Sequence, residues 1–123
     1  MRVIRQHGEK SELFDINRFI PVLEEMLEIE AWKLNVGRCS GEGAAELEES
    51  ALTFIELPHS VFKDKYKNIF QTIDGEFTIQ AKEGFVTLKA VDSTFWEVDS
   101  QIPGVKYEFV KLFGLYTFDN QRR

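Results

Sequence analysis

The sequence has a single cysteine, Cys39, among its 123 residues. One cysteine cannot form an intramolecular disulfide, so the chain does not have the cysteine pattern of a disulfide-rich secreted domain. Its first ten residues, MRVIRQHGEK, are polar and lack the apolar stretch of a signal peptide. The apolar runs are also far shorter than the roughly 20 residues that a membrane helix needs. These absences predict a cytoplasmic protein with no membrane partner.

Proline is scarce, with three residues, and no repeat, low-complexity tract or Pro/Ser-rich linker interrupts the chain. The length suits one domain, so residues 1–123 are predicted to form a single unit. Hydrophobic residues make up 43% of the sequence and include 11 phenylalanines. Because an aromatic side chain buries on the order of 150–250 Å², this content is sufficient for a hydrophobic core.

Acidic residues are concentrated in one part of the sequence. The formal net charge is −6, and residues 24–56 alone hold nine acids against two bases. A negative field repels phosphate and anionic lipid, so direct binding to nucleic acid or to a membrane surface is not expected. The nine acids are Glu24, Glu25, Glu28, Glu30, Glu42, Glu46, Glu48, Glu49 and Glu56.

Hydrophobic periodicity predicts an α+β fold with an antiparallel sheet of about five strands and helices packed on one face. The chain contains no repeated βαβ unit, which argues against a parallel sheet. Residues 1–5 form either a short additional strand or a loose arm, and the polar tail, residues 119–123, is expected to fray. Helices are predicted at about 15–29, from 60 to about 70 and from about 105, and strands at 31–38, 51–57, 76–82, 85–91 and 94–98.

The segment Gly37-Arg38-Cys39-Ser40-Gly41 matches G-x-C-x-G, the cysteine form of a nucleophile elbow. That turn normally belongs to a parallel sheet and needs a histidine late in the chain, and neither is predicted here. The alternative is a glycine-rich loop between two strands. His7 and His59, the two histidines, have no ligand spacing with Cys39, so no metal or cofactor is predicted.

Two further groups of residues are candidates for function. The carboxylates Asp74, Glu76, Asp92, Glu97 and Asp99 could include an acid–base pair, although turn formation explains Asp74 and Asp92 equally well. In residues 92–99, DSTFWEVD, Phe95 and Trp96 point to opposite faces of an extended strand. One ring could therefore be exposed at an interface, or both could be covered. No catalytic residue is predicted, and the sequence favours a protein that is not an enzyme.

The acidic segment is either a solvated face that keeps the protein soluble or a surface that captures a basic protein, since clustered carboxylates steer cationic partners toward encounter. We take the second as the functional hypothesis. In general character, small, acidic and α+β, the chain is similar to bacterial immunity proteins that neutralise nuclease toxins. That likeness implies an inhibitor that covers a cationic active site. The alternative is a small-ligand-binding domain, monomeric or homodimeric, with a pocket lined by Phe77, Phe85, Trp96 and Phe109. The predicted partner-binding residues are Glu24, Glu25, Glu28, Glu46, Glu48, Glu49 and Trp96.

Overall fold

The computed structural model describes residues 1–118, and the tail predicted to fray, residues 119–123, lies outside the described residues. The described chain forms four helices and six strands. In chain order they are β1 (Arg2–Arg5), α1 (Ile16–Met26), β2 (Ile29–Gly41), α2 (Ala44–Ser50), β3 (Ile55–Pro58), α3 (His59–Tyr66), β4 (Ile69–Ala81), β5 (Gly84–Val91), β6 (Phe95–Ser100) and α4 (Val105–Phe113).

All six strands join one antiparallel sheet in the order β1-β6-β5-β4-β2-β3. The predicted α+β class is therefore confirmed, with one strand more than the expected five. The additional strand is β1, in the segment that the sequence predicted as either a short strand or a loose arm. The three strands predicted at 76–82, 85–91 and 94–98 correspond to β4, β5 and β6, which form a meander because they are consecutive in the chain and adjacent in the sheet.

The two faces of the sheet differ in polarity because side chains alternate along each strand. On the inner face, Trp32 on β2 lies opposite Ile79 on β4, and Leu88 on β5 lies opposite Val98 on β6; all four are buried. The outer face carries exposed or half-buried polar residues in the intervening positions. Its central row consists of Glu56, Lys33, Thr78, Thr87 and Asp99.

Aromatic rings join the helices to the inner face. Phe62 of α3 stacks on Trp32 with a centroid separation of 4.0 Å. Phe19 of α1 meets Trp96 of β6 edge-on at 5.1 Å and also contacts Phe109 of α4 at 5.2 Å. These rings are buried, so aromatic side chains contribute to the packing of α1, α3 and α4 against the sheet.

Two strands are longer than the sequence predicted. The sequence placed Ile69 and Phe70 on a helix and Asp74-Gly75 in a turn, but all four residues lie within β4. The pairing of β2 with β4 shifts register on either side of Arg38, which lies opposite Asp74. This irregularity lets both strands bend and continue, whereas a turn would have ended them.

The two edges of the sheet are different. The outer side of β1 is covered by the segment after α4, because the Arg5 amide donates to the Gly114 carbonyl and the Tyr116 amide donates to the Val3 carbonyl. At the opposite edge, β3 has only four residues, and its backbone makes no further hydrogen bond on its outer side within residues 1–118. The edge formed by β3 is therefore open to solvent.

Candidate protein-binding surface

The nine acids of the acidic segment lie in three places. Glu24 and Glu25 lie at the end of α1, Glu28 and Glu30 lie where the chain enters β2, and Glu56 lies on β3. Glu42 and the glutamates of α2 follow the end of β2. Trp32 lies beside the first group and Cys39 beside the last. At about 3.3 Å per residue, the strand between these two residues is at most about 23 Å long. The predicted set of partner-binding glutamates is thus divided between two ends of β2.

The acids at the end of α1 are partly neutralised. The Glu24 carboxylate accepts from Lys63 at 2.8 Å and from His59 Nε2 at 2.9 Å. These hydrogen bonds, from Lys63 first and then His59, lower the pKa of Glu24. Glu28 forms an ion pair with Lys82 at 3.2 Å. This group therefore presents less uncompensated negative charge than the sequence suggested.

The acids around α2 and β3 are less compensated. Glu48 is the exception, because its Oε2 accepts from the Cys39 amide at 2.9 Å and caps the irregular end of β2. Six of the nine acids make no ion pair and no side-chain hydrogen bond within residues 1–118: Glu25, Glu30, Glu42, Glu46, Glu49 and Glu56. Four of these six lie on or next to α2 and β3.

The segment between α2 and β3 carries two exposed apolar side chains, Leu52, which is 72% exposed, and Phe54, which is 48% exposed. Large apolar residues beside uncompensated acids are the combination typical of protein interfaces, where apolar anchors are bordered by polar groups. We define the α2–β3 surface by its six exposed residues, Glu42, Glu46, Glu49, Leu52, Phe54 and Glu56.

The backbone beneath Leu52 is held in place. The Asn35 side-chain amide donates to the carbonyls of Ala51 and Leu52, at 2.8 and 2.7 Å. The Val36 amide also donates to the Ala51 carbonyl at 3.1 Å. Leu52 is thus presented on an ordered turn.

Two lysines border the α2–β3 surface. The Lys33 ammonium lies 5.4 Å from the ring centroid of Phe54, a cation–π contact. Lys65 of α3 lines a small cavity together with Glu46, Leu47 and Ser50. These bases reduce the negative potential locally, but neither forms an ion pair with a glutamate of the surface.

Trp96, predicted as a partner-binding residue, is fully buried. Its indole Nε1 donates to the Phe14 carbonyl at 2.9 Å, so its polar atom is satisfied inside the core. The neighbouring ring, Phe95, is half-buried and stacks on Tyr116 at 5.1 Å. The prediction that Trp96 contacts a partner is therefore wrong, since its strand turns the indole toward α1.

Cys39 does not lie in a nucleophile elbow. It is a buried residue of β2 paired with Thr72 of β4, so the predicted glycine-rich loop is replaced by strand as far as Gly41. Burial, followed by the nearby carboxylates of Glu48 and Asp15, raises the pKa of the thiol to about 11. A protonated, covered thiol is a poor nucleophile, so the structure assigns Cys39 to the core.

Both ring nitrogens of His59 are occupied. Nδ1 accepts from Trp32 Nε1 at 2.9 Å, and Nε2 lies 2.9 Å from Glu24. His7 is distant in the fold and contacts the Ser93 carbonyl. Among residues 1–118, no group of three or more His, Cys, Asp or Glu side chains is placed to hold a metal ion.

No family model, curated protein or solved structure matches this chain. The geometry of the chain's own side chains is therefore the basis for assigning a function.

Some of the carboxylates that were candidates for an acid–base pair have structural contacts. The Asp74 carboxylate accepts from the Asp92 amide at 3.0 Å and so secures the turn between β5 and β6. Asp92 and Ser93 have φ values of 48° and 50° in that turn. Asp99 faces the amino-terminal ammonium at 3.5 Å and Lys106 at 3.6 Å. The Asp74 and Asp99 carboxylates are thus engaged in backbone and ion-pair contacts.

The predicted pocket between sheet and helices is filled. Phe77, Trp96 and Phe109 are all buried, and Phe77 and Trp96 lie 6.0 Å apart within a continuous chain of ring contacts. Phe85 lies opposite Gln80 on the other face of the sheet and is exposed. These four residues therefore do not line one cavity.

Sequence reasoning missed Leu52 and Phe54, which it placed in a paired strand. A usable signal was present, because Leu52, Phe54 and Glu56 alternate with Thr53, Ile55 and Leu57. Because Glu56 is charged, the residues on its side of the strand, Leu52 and Phe54, are expected to face water.

Proposed function

We propose that this protein is a non-catalytic binding module that docks a basic protein partner on the α2–β3 surface. The observation that carries the proposal is that one segment, residues 42–56, holds four exposed glutamates without an ion pair in residues 1–118 and the exposed, backbone-anchored Leu52. Carboxylates would accelerate encounter with a cationic partner, and Leu52 and Phe54 would supply apolar contact area after docking.

The engagement of the candidate reactive groups also favours binding over catalysis. The thiol of Cys39 is buried, both nitrogens of His59 have partners, and the Asp74 carboxylate accepts from the backbone. A general base or nucleophile needs a free lone pair facing a substrate. These groups instead face their own chain.

The finer form of the proposal is an inhibitor of the immunity type that works in the cytoplasm. Its acidic surface would occlude a cationic site on the partner that otherwise holds phosphate. In that case, addition of this protein at a one-to-one ratio to the captured partner abolishes the partner's activity on phosphate-containing substrates. Retained activity in a saturated complex contradicts occlusion but leaves docking intact.

A homodimer through the same surface is disfavoured because two copies would bring like charges together. Sedimentation of the isolated protein at low and high salt tests this point. The monomer mass at both salt concentrations is expected. A dimer that strengthens as salt rises would assign the α2–β3 surface to self-association.

The decisive experiment compares two charge-matched variants. E42Q/E46Q/E49Q/E56Q removes the four acids of the surface, and E9Q/D92N/E97Q/E108Q removes four exposed or half-buried acids located elsewhere. Each variant and the wild type are immobilised and exposed to lysate at low salt and at about 1 M salt, where the Debye length is about 3 Å. Bound proteins are identified by mass spectrometry.

We expect one basic partner that the wild type and the second variant capture at low salt and that the first variant loses. L52S should also lose it, whereas L112S, which changes an exposed leucine on α4, should retain it. Equal capture by both charge variants would attribute binding to overall charge. Equal capture by L52S and wild type would remove the α2–β3 surface from the proposal.

A further inference from the structure

A groove of about 700 Å³ lies at the sheet edge opposite the α2–β3 surface. Arg2 of β1 forms one wall, and the first turns of α4, with Lys106 and Tyr107, form another. Its volume is within the range of small-molecule sites, about 300–1,000 Å³. The remaining lining residues are Ser100, Gln101, Ile102, Pro103, Gly104, Val110 and Leu115.

The groove combines an apolar lining with positive charge. Ile102, Val110 and the exposed Leu115 supply aliphatic surface, while Arg2 and Lys106 supply two cations. Among residues 1–118, no lining residue is acidic, although the chain contains 21 Asp and Glu against 15 Lys and Arg. The groove therefore carries positive charge although the molecule as a whole is negative, and this charge favours an anionic ligand.

Two of the residues that line the groove carry polar groups without a partner in the described part of the chain. The Arg2 guanidinium and the Tyr107 hydroxyl make no hydrogen bond or ion pair within residues 1–118. Lys106 lies 3.6 Å from Asp99, outside the lining, and such a solvent-exposed pair is weak because water screens the two charges. Arg2 can therefore approach a carboxylate with two parallel N–H donors, and Tyr107 can donate a third hydrogen bond.

The wall between β6 and α4 is ordered before any ligand arrives. The buried Ser100 hydroxyl donates to the Phe85 carbonyl at 2.7 Å and accepts from the Ile102 amide at 3.1 Å. These bonds fix the Ile102 side chain, which packs against the core. A preformed wall reduces the ordering cost of binding.

We propose that this groove binds a small amphipathic anion, with the acid group at Arg2, Lys106 and Tyr107 and the apolar body along Ile102, Val110 and Leu115. The inference goes beyond the proposed function, because β1 and β3 are opposite edges of the sheet and the two surfaces share no residue.

The test uses three probes with the same chain length: decanoate, decan-1-ol and decyltrimethylammonium. Each is titrated into the full-length, isotope-labelled protein below its micelle concentration, and amide chemical shifts are recorded. We expect decanoate to shift amides around Arg2, Ile102 and Tyr107 saturably. The neutral and cationic probes should bind at least ten-fold more weakly, because they lack the group that Arg2 recognises.

Two variants locate the contacts. R2Q should weaken decanoate binding ten-fold or more, whereas R38Q, which removes an exposed arginine from β2, should leave the affinity unchanged. L115S should weaken all three probes, and F70S, which removes an exposed ring from β4, should not. Unchanged amide shifts away from the groove establish that each variant is folded.

Equal affinity for decanoate and decan-1-ol overturns the anion assignment, and saturable shifts centred elsewhere overturn the location. Loss of decanoate binding in R38Q as well as R2Q would mean that general charge attraction is responsible. Partner capture by the α2–β3 surface is unaffected by R2Q in every case, so failure here is distinguishable from failure of the proposed function.

Discussion

The indole nitrogen of the buried Trp32 donates a hydrogen bond to Nδ1 of His59 over 2.9 Å. The imidazole Nδ1 must therefore be unprotonated, and Nε2 carries the hydrogen that faces Glu24. His59 also lies parallel to the indole, with 9° between the planes. This contact makes His59 an acceptor for a core side chain.

Replacement of His59 should destabilise the fold. H59A leaves the Trp32 N–H without its acceptor, and an unsatisfied buried donor costs about 1–3 kcal/mol. H59N keeps an acceptor oxygen near the position of Nδ1 and should recover part of the loss. Urea unfolding followed by tryptophan fluorescence measures both. Equal stability of H59A and wild type would mean that water replaces the imidazole.

Cys39 should be unreactive in the native protein. Because burial raises the pKa of the thiol to about 11, very little thiolate exists at pH 8. We expect Ellman's reagent to label the thiol quickly in denaturant and at least a hundred-fold more slowly under native conditions. The C39A variant serves as the blank. Rapid native labelling would indicate that α2 opens away from β2.

The Asp15 carboxyl should make stability depend on pH. Its side chain caps α1 through the Ile16 amide and also accepts from the amide and hydroxyl of Thr72. Burial, the dominant cause, outweighs these hydrogen bonds and raises the pKa from 3.8 to about 6. The folded state then binds a proton more tightly than the unfolded state does.

Stability from this group is therefore fully present below pH 3.8 and is lost as pH rises through about 6. The difference corresponds to about 3 kcal/mol, at about 1.4 kcal/mol per pKa unit. Urea unfolding of wild type and D15N between pH 4 and pH 7 isolates this contribution, because the variant lacks the Asp15 carboxyl and keeps every other titratable group. If the free energies of unfolding of the two proteins change with pH in parallel, Asp15 is not the source of the pH dependence.

Alanine substitution at two neighbouring glycines should destabilise the protein by different amounts. Gly41 and Gly43 both have positive φ, 135° and 87°. A Cβ on Gly41 would lie 2.8 Å from the Ile69 Cα, whereas one on Gly43 meets no atom within 4 Å. G43A should cost about 1 kcal/mol from backbone strain alone, and G41A about 3 kcal/mol or more because overpacking adds to it. Thermal unfolding ranks the two variants, and equal losses would contradict the close approach of β2 to β4.

Local patterns were sufficient for several elements of this fold. The start of α1 was predicted at about residue 15, where Asp15 caps the helix, and the start of α4 was predicted at about residue 105. The path of β4 was not recoverable in the same way, because Asp74-Gly75 is a strong local turn signal. Pairing with β2 on one side and β5 on the other overrides that signal through a bulge.

The candidate surface was predicted only in part. The excess of glutamates was visible in the sequence, but the pairing of Glu24 with Lys63 depends on how α1 and α3 pack. Exposure of Leu52 likewise depends on Asn35, which anchors the turn from a strand sixteen residues away. Contacts between residues that are far apart in the chain leave no periodic pattern in the sequence from which they could be predicted.

The sequence by itself determined the α+β class, the meander, the aromatic core and the location of the negative charge along the chain. These features follow from alternation, helical spacing and composition, which act over a few residues. Only the tertiary structure decided that Trp96 is buried, that Cys39 lies in a strand, and which glutamates lack partners. Burial and charge pairing depend on which distant residues meet, and that is fixed only when the sheet and its helices pack together.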